Sequence, residues 1–147
     1  MRYSEARQGR VFIIRLEHGE VLHETVERFA REQGIRAGAL IALGGADAGS
    51  RLVVGPEQAD ARPITPMVHV LDGVHELAGV GTLAWDEESG GPTLHMHVAC
   101  GRGEVTETGC VRQGVRAWQT LEVVLWELAD MSLCRVFDPG LGFKLLQ

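Results

Sequence analysis

The chain has 147 residues, 45% hydrophobic and 23% charged, an ordinary globular composition with enough length for one buried core. Fourteen Lys and Arg against twenty Asp and Glu leave a net charge of −6, with Lys144 the only lysine, which opposes direct binding to the DNA backbone. The polar start "MRYSEARQGR" is no secretory leader and "AGALIALGGADAG" (Ala37 to Gly49) is too short and glycine-rich to span a bilayer, so the expectation is one cytoplasmic domain over residues 1–147.

"GRVFIIRL" (Gly9 to Leu16) is β-branched and apolar on both faces, the pattern of a covered central strand. "EVLHETVERFAREQG" follows with Leu22, Val26, Phe29 and Ala30 at helical spacing, Glu24/Arg28 and Glu27/Arg31 as i,i+4 pairs, and Gly34 as the stop. His23 is expected on the solvated side of that helix. "AGALIALGGADAGSRLVVG" predicts two strands around a turn at Gly44-Gly45, the second running from Gly49 to Val54. It is not a phosphate loop, because it has no Walker pattern and no helix follows.

"PEQADARPITP" (Pro56 to Pro66) predicts an exposed connection. The next stretch, to Cys100, reads as strand, loop, strand, hairpin, strand, with "DEESGGP" (Asp86 to Pro92) as the hairpin turn. "RQGVRAWQTLEVVLWEL" has helix-compatible spacing, but its β-branched and aromatic content with alternation through Trp118, Thr120, Glu122, Val124 and Trp126 predicts strand. "SLCRVF" and "LGFKLL" predict two short strands around "DPG". The predicted class is α+β, a largely antiparallel, mixed sheet with one main helix.

The chemistry concentrates in "TLHMHVACGRGEVTETGC". On a strand, residues i and i+2 share a face, so His95 and His97 project together and Met96 points away. Cys110 follows thirteen residues after His97, past a glycine-containing turn, where a return strand would bring its thiol beside the pair. Two imidazoles and a thiolate are a competent donor set for a divalent ion, zinc first. The other two cysteines, Cys100 and Cys134, form no CxxC pair and are expected to be reduced, small and buried. Glu122 and Glu76 are candidates for a supporting shell around the ligands, and an arginine (Arg112, Arg116 or Arg135) could pair with Glu122. His69 and His75 are spare candidates for a fourth ligand.

"PTLHMHVACGRGEVTETGCVRQGV" resembles the PPC domain (plant and prokaryote conserved domain) through Gly91, Pro92, His95, His97, Gly109, Val111 and Gly114. The likeness extends to "RLEHGEVLHETVERFAREQGIRAGALIALGGADAGSRL", to Glu76, Leu77, Gly81 and Leu83, and to Thr120 and Glu122, nearly the whole chain. It implies an α+β domain that assembles as a homotrimer, in a family whose prokaryotic members carry a DNA-binding label. By that resemblance His95, His97 and Cys110 occupy the places of three family histidines. Cys110 replaces one zinc-ligand type by another, and Thr108 stands where the family has the first glycine of its turn. No AT-hook sequence is present, so a regulatory or DNA-associated role would rest on a partner. The alternative is a metal-dependent hydrolase or small-molecule-binding protein using the same site, with an open zinc activating water and Glu122 or Glu76 moving protons. Trp118, Trp126, Phe12 and Phe137 are candidate anchors of the trimer.

Overall fold

The computed structural model describes residues 1–147. Its elements run β1 (Arg7–Leu16), α1 (Leu22–Glu32), β2 (Gly38–Ala46), β3 (Arg51–Pro56), β4 (Pro66–Val70), β5 (His75–Asp86), β6 (Gly91–Arg102), β7 (Val105–Cys110), a 3₁₀ turn (Val111–Gln113), β8 (Ala117–Ala129), β9 (Arg135–Asp138) and β10 (Phe143–Leu146). The path through the sheet is β1-β8-β2-β5-β6-β7-β3-β4, antiparallel throughout, and β9 joins β5 in a single parallel bridge between Asp86 and Arg135. This is the predicted α+β class. β8 is a strand, as its alternation predicts, and the closing pair β9–β10 forms around "DPG".

Alternation divides the sheet into two faces. The inner face carries Leu40, Ala42, Leu83, Leu94, Met96, Val98, Leu121, Val123 and Leu125, all buried. α1 lies over β6 and brings Leu22, Val26 and Ala30 onto this core. Each fully buried leucine contributes on the order of 1.5–3 kcal/mol of transfer free energy. The helix ends as "REQGI" predicts: Gly34 takes φ +69°, the Gly34 N–H donates to the Arg31 carbonyl at 3.2 Å, and the Ile35 N–H donates to the Ala30 carbonyl at 2.8 Å, a Schellman arrangement.

Several expectations are corrected. β1 is an edge strand, not a central one; Phe12, Ile14 and Leu16 turn inward while Ile13 is 71% exposed. The chain does not turn at Gly44-Gly45; β2 runs through both glycines, and the turn falls between Asp47 and Ser50. The glycines serve a different need. A Cβ on Gly44, at φ +140°, would lie 2.3 Å from the Thr120 carbonyl oxygen, and one on Gly45 would lie 2.6 Å from that of Trp118. They admit the bulge at which β8 gains two residues against β2. The helix ion pairs also differ: Arg28 meets Glu20 at 3.0 Å, and Glu27 reaches β6. His23 is half-buried rather than solvated, with Nδ1 enclosed and unpartnered, and Cys134 is half-buried with its thiol 3.4 Å from Glu87 Oε1. Cys100 is buried as expected, and burial raises its thiol pKa to about 11, which keeps it protonated.

Candidate functional site

β6 places His95 and His97 on the outer face of the sheet. Cross-strand register fixes their neighbours: Thr82 stands opposite His95, Val80 opposite His97 on one side, and Cys110 opposite His97 on the other. Directly opposed residues of an antiparallel pair share a face, so the return strand brings the cysteine to the histidines, as the spacing predicts. β7 ends at Cys110. Beyond that point β6 has no partner on this side, and Glu27 Oε1 accepts the Leu94 N–H at 2.8 Å. The helix thus holds the strand in place one residue before His95.

The imidazoles meet edge to face, with centroids 5.1 Å apart and Nε2 atoms 3.3 Å apart. Both rings are exposed. Burial, then the charges of Arg135, Arg112 and His97, lower the His95 pKa, so the ring is neutral at pH 7 and keeps a lone pair for a ligand or proton. Cys110 is buried, and its sulfur accepts the Arg112 Nε–H at 3.4 Å. No three His, Cys, Asp or Glu side chains converge in this chain as a ready ligand cluster. Of the three residues singled out in the sequence, two meet and the third stands beside them, turned toward an arginine.

The spacing of the two imidazoles alone is compatible with a shared metal ion. Two nitrogens at about 2.0–2.1 Å from one tetrahedral zinc lie about 3.3–3.4 Å apart, the separation of this pair. Glu122 and Glu76 are elsewhere. Both are exposed, and both line a separate groove of about 280 Å³ with Gly44, Gly45 and Trp118. Glu122 lies three strand spacings from β6, roughly 14 Å, and Glu76 faces Gly101, four residues along from His97. None of the arginines considered for Glu122 forms an ion pair with it. His75 is buried with Nδ1 2.8 Å from the Gly73 carbonyl oxygen, and His69 sits on the edge strand β4.

The β9–β10 hairpin lies beside His95 and borders a half-open cavity of about 740 Å³. Arg112 and Arg135 line it with His95, Thr82, Phe137 and Phe143. The arginines were not apparent as site residues in the sequence; the available signal was Arg135 itself, a lone charge inside the short apolar strand "CRVF". No helix of the chain is long and apolar enough to cross a membrane.

The chain is 30% identical over 135 residues to the bifunctional protein GlmU of Synechococcus sp. strain JA-2-3B'a(2-13); the match covers 91% of this chain and 19% of that protein, so the chain spans about a fifth of the curated relatives it matches. Among solved structures, a metal-containing protein of Archaeoglobus fulgidus superposes with a TM-score of 0.86 at 22% identity, covering 100% of this chain and 99% of that one. A plant- and prokaryote-conserved (PPC) protein of Pyrococcus horikoshii gives 0.84 at 23% identity, covering 100% and 97%. A candidate DNA-binding protein of Ralstonia eutropha JMP134 gives 0.70 at 20% identity, covering 92% and 89%. Residues 3–129 match the sequence profile of the Plants and Prokaryotes Conserved (PCC) domain, and the chain belongs to that family.

Proposed function

We propose that this PCC domain is a homotrimeric regulatory module that holds a divalent metal, zinc first, on its outer sheet face. The observation that carries the metal is the 3.3 Å between the Nε2 atoms of His95 and His97, the spacing of two imidazoles on one tetrahedral ion. Cys110, in register with His97, supplies the third donor once its sulfur leaves Arg112. When bound, such an ion with an open position supplies Lewis-acid polarisation of an oxygen ligand. The Archaeoglobus relative, described as metal-containing, agrees with this reading.

The trimer draws on the outer face. Ile13, Val124, Ile41, Val80, His97 and Cys110 stand in one row across six strands, and Ile13, Ile41 and Val80 are exposed apolar side chains in a single chain. An apolar row of this kind fits a subunit interface better than a wetted surface.

Association with DNA, the label carried by the Ralstonia relative, is proposed only through a partner. Of the N-terminal arginines that could have made a basic patch, three are held by carboxylates, Arg7 by Asp130, Arg10 by Glu127 and Arg15 by Glu17, and Arg2 donates to the amide oxygen of Gln147. Duplex DNA is therefore expected to produce no salt-dependent mobility shift.

A second reading, small-molecule binding with or without hydrolysis at the same ion, is favoured by the cavity beside His95. The deciding experiment is metal analysis of protein purified without a histidine tag. About one zinc per chain supports the proposal, and protein that takes up no stoichiometric zinc even after zinc is supplied refutes it.

A further inference from the structure

Arg135 is 7% exposed, and its Nε is enclosed with no hydrogen-bond partner. Its Nη2 donates to Thr82 Oγ1 at 3.2 Å. The chain's ion pairs are made by Arg7, Arg10, Arg15, Arg28 and Lys144, so no carboxylate neutralises Arg135 or the neighbouring Arg112. Asp86 is bridged to Arg135 through the backbone, but its carboxylate is taken: Oδ2 meets Lys144 at 2.6 Å, and Oδ1 accepts the Glu88 N–H at 3.1 Å. Lys144 is likewise held, by Asp86 and by Glu88 at 2.9 Å.

A buried guanidinium without a counter-charge is costly, and a neutral side chain of similar shape would serve packing better. Burial first, then Arg112, lowers the Arg135 pKa, and Asp86 and Cys110 only partly offset them, although a guanidinium stays charged at any physiological pH. Both arginines line the 740 Å³ cavity, one from β9 and one from the turn after Cys110. An acidic chain has thus gathered two cations without ion-pair partners around one half-open cavity, whose lining also includes the Asp86–Lys144–Glu88 cluster. Phe137 and Phe143 from the hairpin add apolar surface to the lining.

We propose that Arg135 and Arg112 form an oxyanion site, and that the cavity takes a small organic acid, a carboxylate or a phosphate monoester, with its charged head on the guanidiniums and its apolar body against Phe137 and Phe143. Guanidinium presents parallel N–H donors that match either head group. The Thr82 hydroxyl, which accepts from Arg135, also lines the cavity and keeps its own hydrogen to donate. A cavity of this volume suits a ligand of drug-like size. The site gives chemical content to the small-molecule reading above but does not require the metal.

The test uses the full chain after exhaustive dialysis against a chelator, so its outcome is read separately from zinc binding. The ¹H–¹⁵N signal of the Arg135 Nε–H is followed while phenyl phosphate, benzoate, inorganic phosphate or uncharged benzyl alcohol is added. A saturable shift with phenyl phosphate or benzoate, weaker with inorganic phosphate and absent with benzyl alcohol, is expected. The tighter of the first two assigns the head group. Arg135→Met, which lacks that reporter and is titrated by calorimetry beside the natural chain, should bind at least about tenfold more weakly, the loss of a charge-assisted hydrogen bond, while the unliganded protein stays as heat-stable as before or more so. If Arg135→Met fails to fold, the exposed Arg112→Met carries the same binding test. No saturable shift with any oxyanion, or equal binding of benzyl alcohol, overturns the proposal. Inorganic phosphate binding as tightly as phenyl phosphate overturns the apolar half of it.

Discussion

Nε2 of His95 lies 3.3 Å from Nε2 of His97, although Cα atoms two apart on a strand are about 6.8 Å from each other. The rings meet edge to face, close enough for one Nε2 to hydrogen-bond the other or for both to bind one ion between them. A single ion at that point makes each imidazole equally necessary. His95→Ala and His97→Ala should each abolish stoichiometric zinc uptake, measured by metal analysis after dialysis, while the circular dichroism of the sheet is unchanged. Retention of zinc by either variant places the ion elsewhere.

The surroundings of His95 have a pH consequence in metal-free protein. Burial and the charges of Arg135, Arg112 and His97 lower the His95 pKa below its unfolded value of about 6.5. Between the two values the unfolded chain binds a proton that the folded chain refuses, so stability rises with pH across this window. His95 therefore costs nothing above about pH 7 and destabilises the fold as pH falls below about 6.5. The melting temperature of His95→Gln should fall less than that of the natural chain on acidification from pH 7 to pH 5. Parallel curves would show that His95 is not a source of this dependence.

The outer apolar row predicts assembly. Ile13 and Val80 are 71% and 66% exposed in the single chain, so a charge at either should change the stability of an isolated subunit by only about 0.5 kcal/mol. In a trimer that covers them it would be buried without a partner. Sedimentation velocity at micromolar concentration should give a trimer for the natural chain and a smaller species for Ile13→Glu or Val80→Glu. A monomeric natural chain contradicts the assembly.

What the sequence disclosed follows from how local each signal is. The helix face, the Gly34 stop, the Asp86–Pro92 hairpin and the strand identity of β8 depend on residues near one another in the chain, and all appear in the structure. The His95–His97 face and its register with Cys110 follow from strand period and one short return. β1 was misplaced because apolar residues on both faces describe a covered strand without saying what covers it. The Gly44-Gly45 pair looks like a turn until the β8 backbone, some 75 residues on, is seen pressed against it. Arg135 joins Arg112 and His95 only because the hairpin folds back over β5, a contact that no local pattern encodes.

Gly109 connects the fold to the third donor. A Cβ there would sit 2.6 Å from the Val53 carbonyl oxygen and 3.0 Å from the Leu52 Cβ, so β3 could not lie where it does. Val53 pairs with Cys110, and Cys110 pairs with His97, so a push on β3 moves the thiol and leaves the two histidines alone. Gly109→Ala should therefore cost roughly 1–3 kcal/mol of stability, the usual penalty for overpacking. If Cys110 is a ligand, cobalt-substituted natural protein should show a thiolate-to-cobalt charge-transfer band that is weakened in Gly109→Ala and absent in Cys110→Ser. The Cys110→Ser protein should keep weaker cobalt binding through His95 and His97. A natural protein that binds cobalt without the thiolate band would leave the histidines as ligands and remove Cys110 from the set.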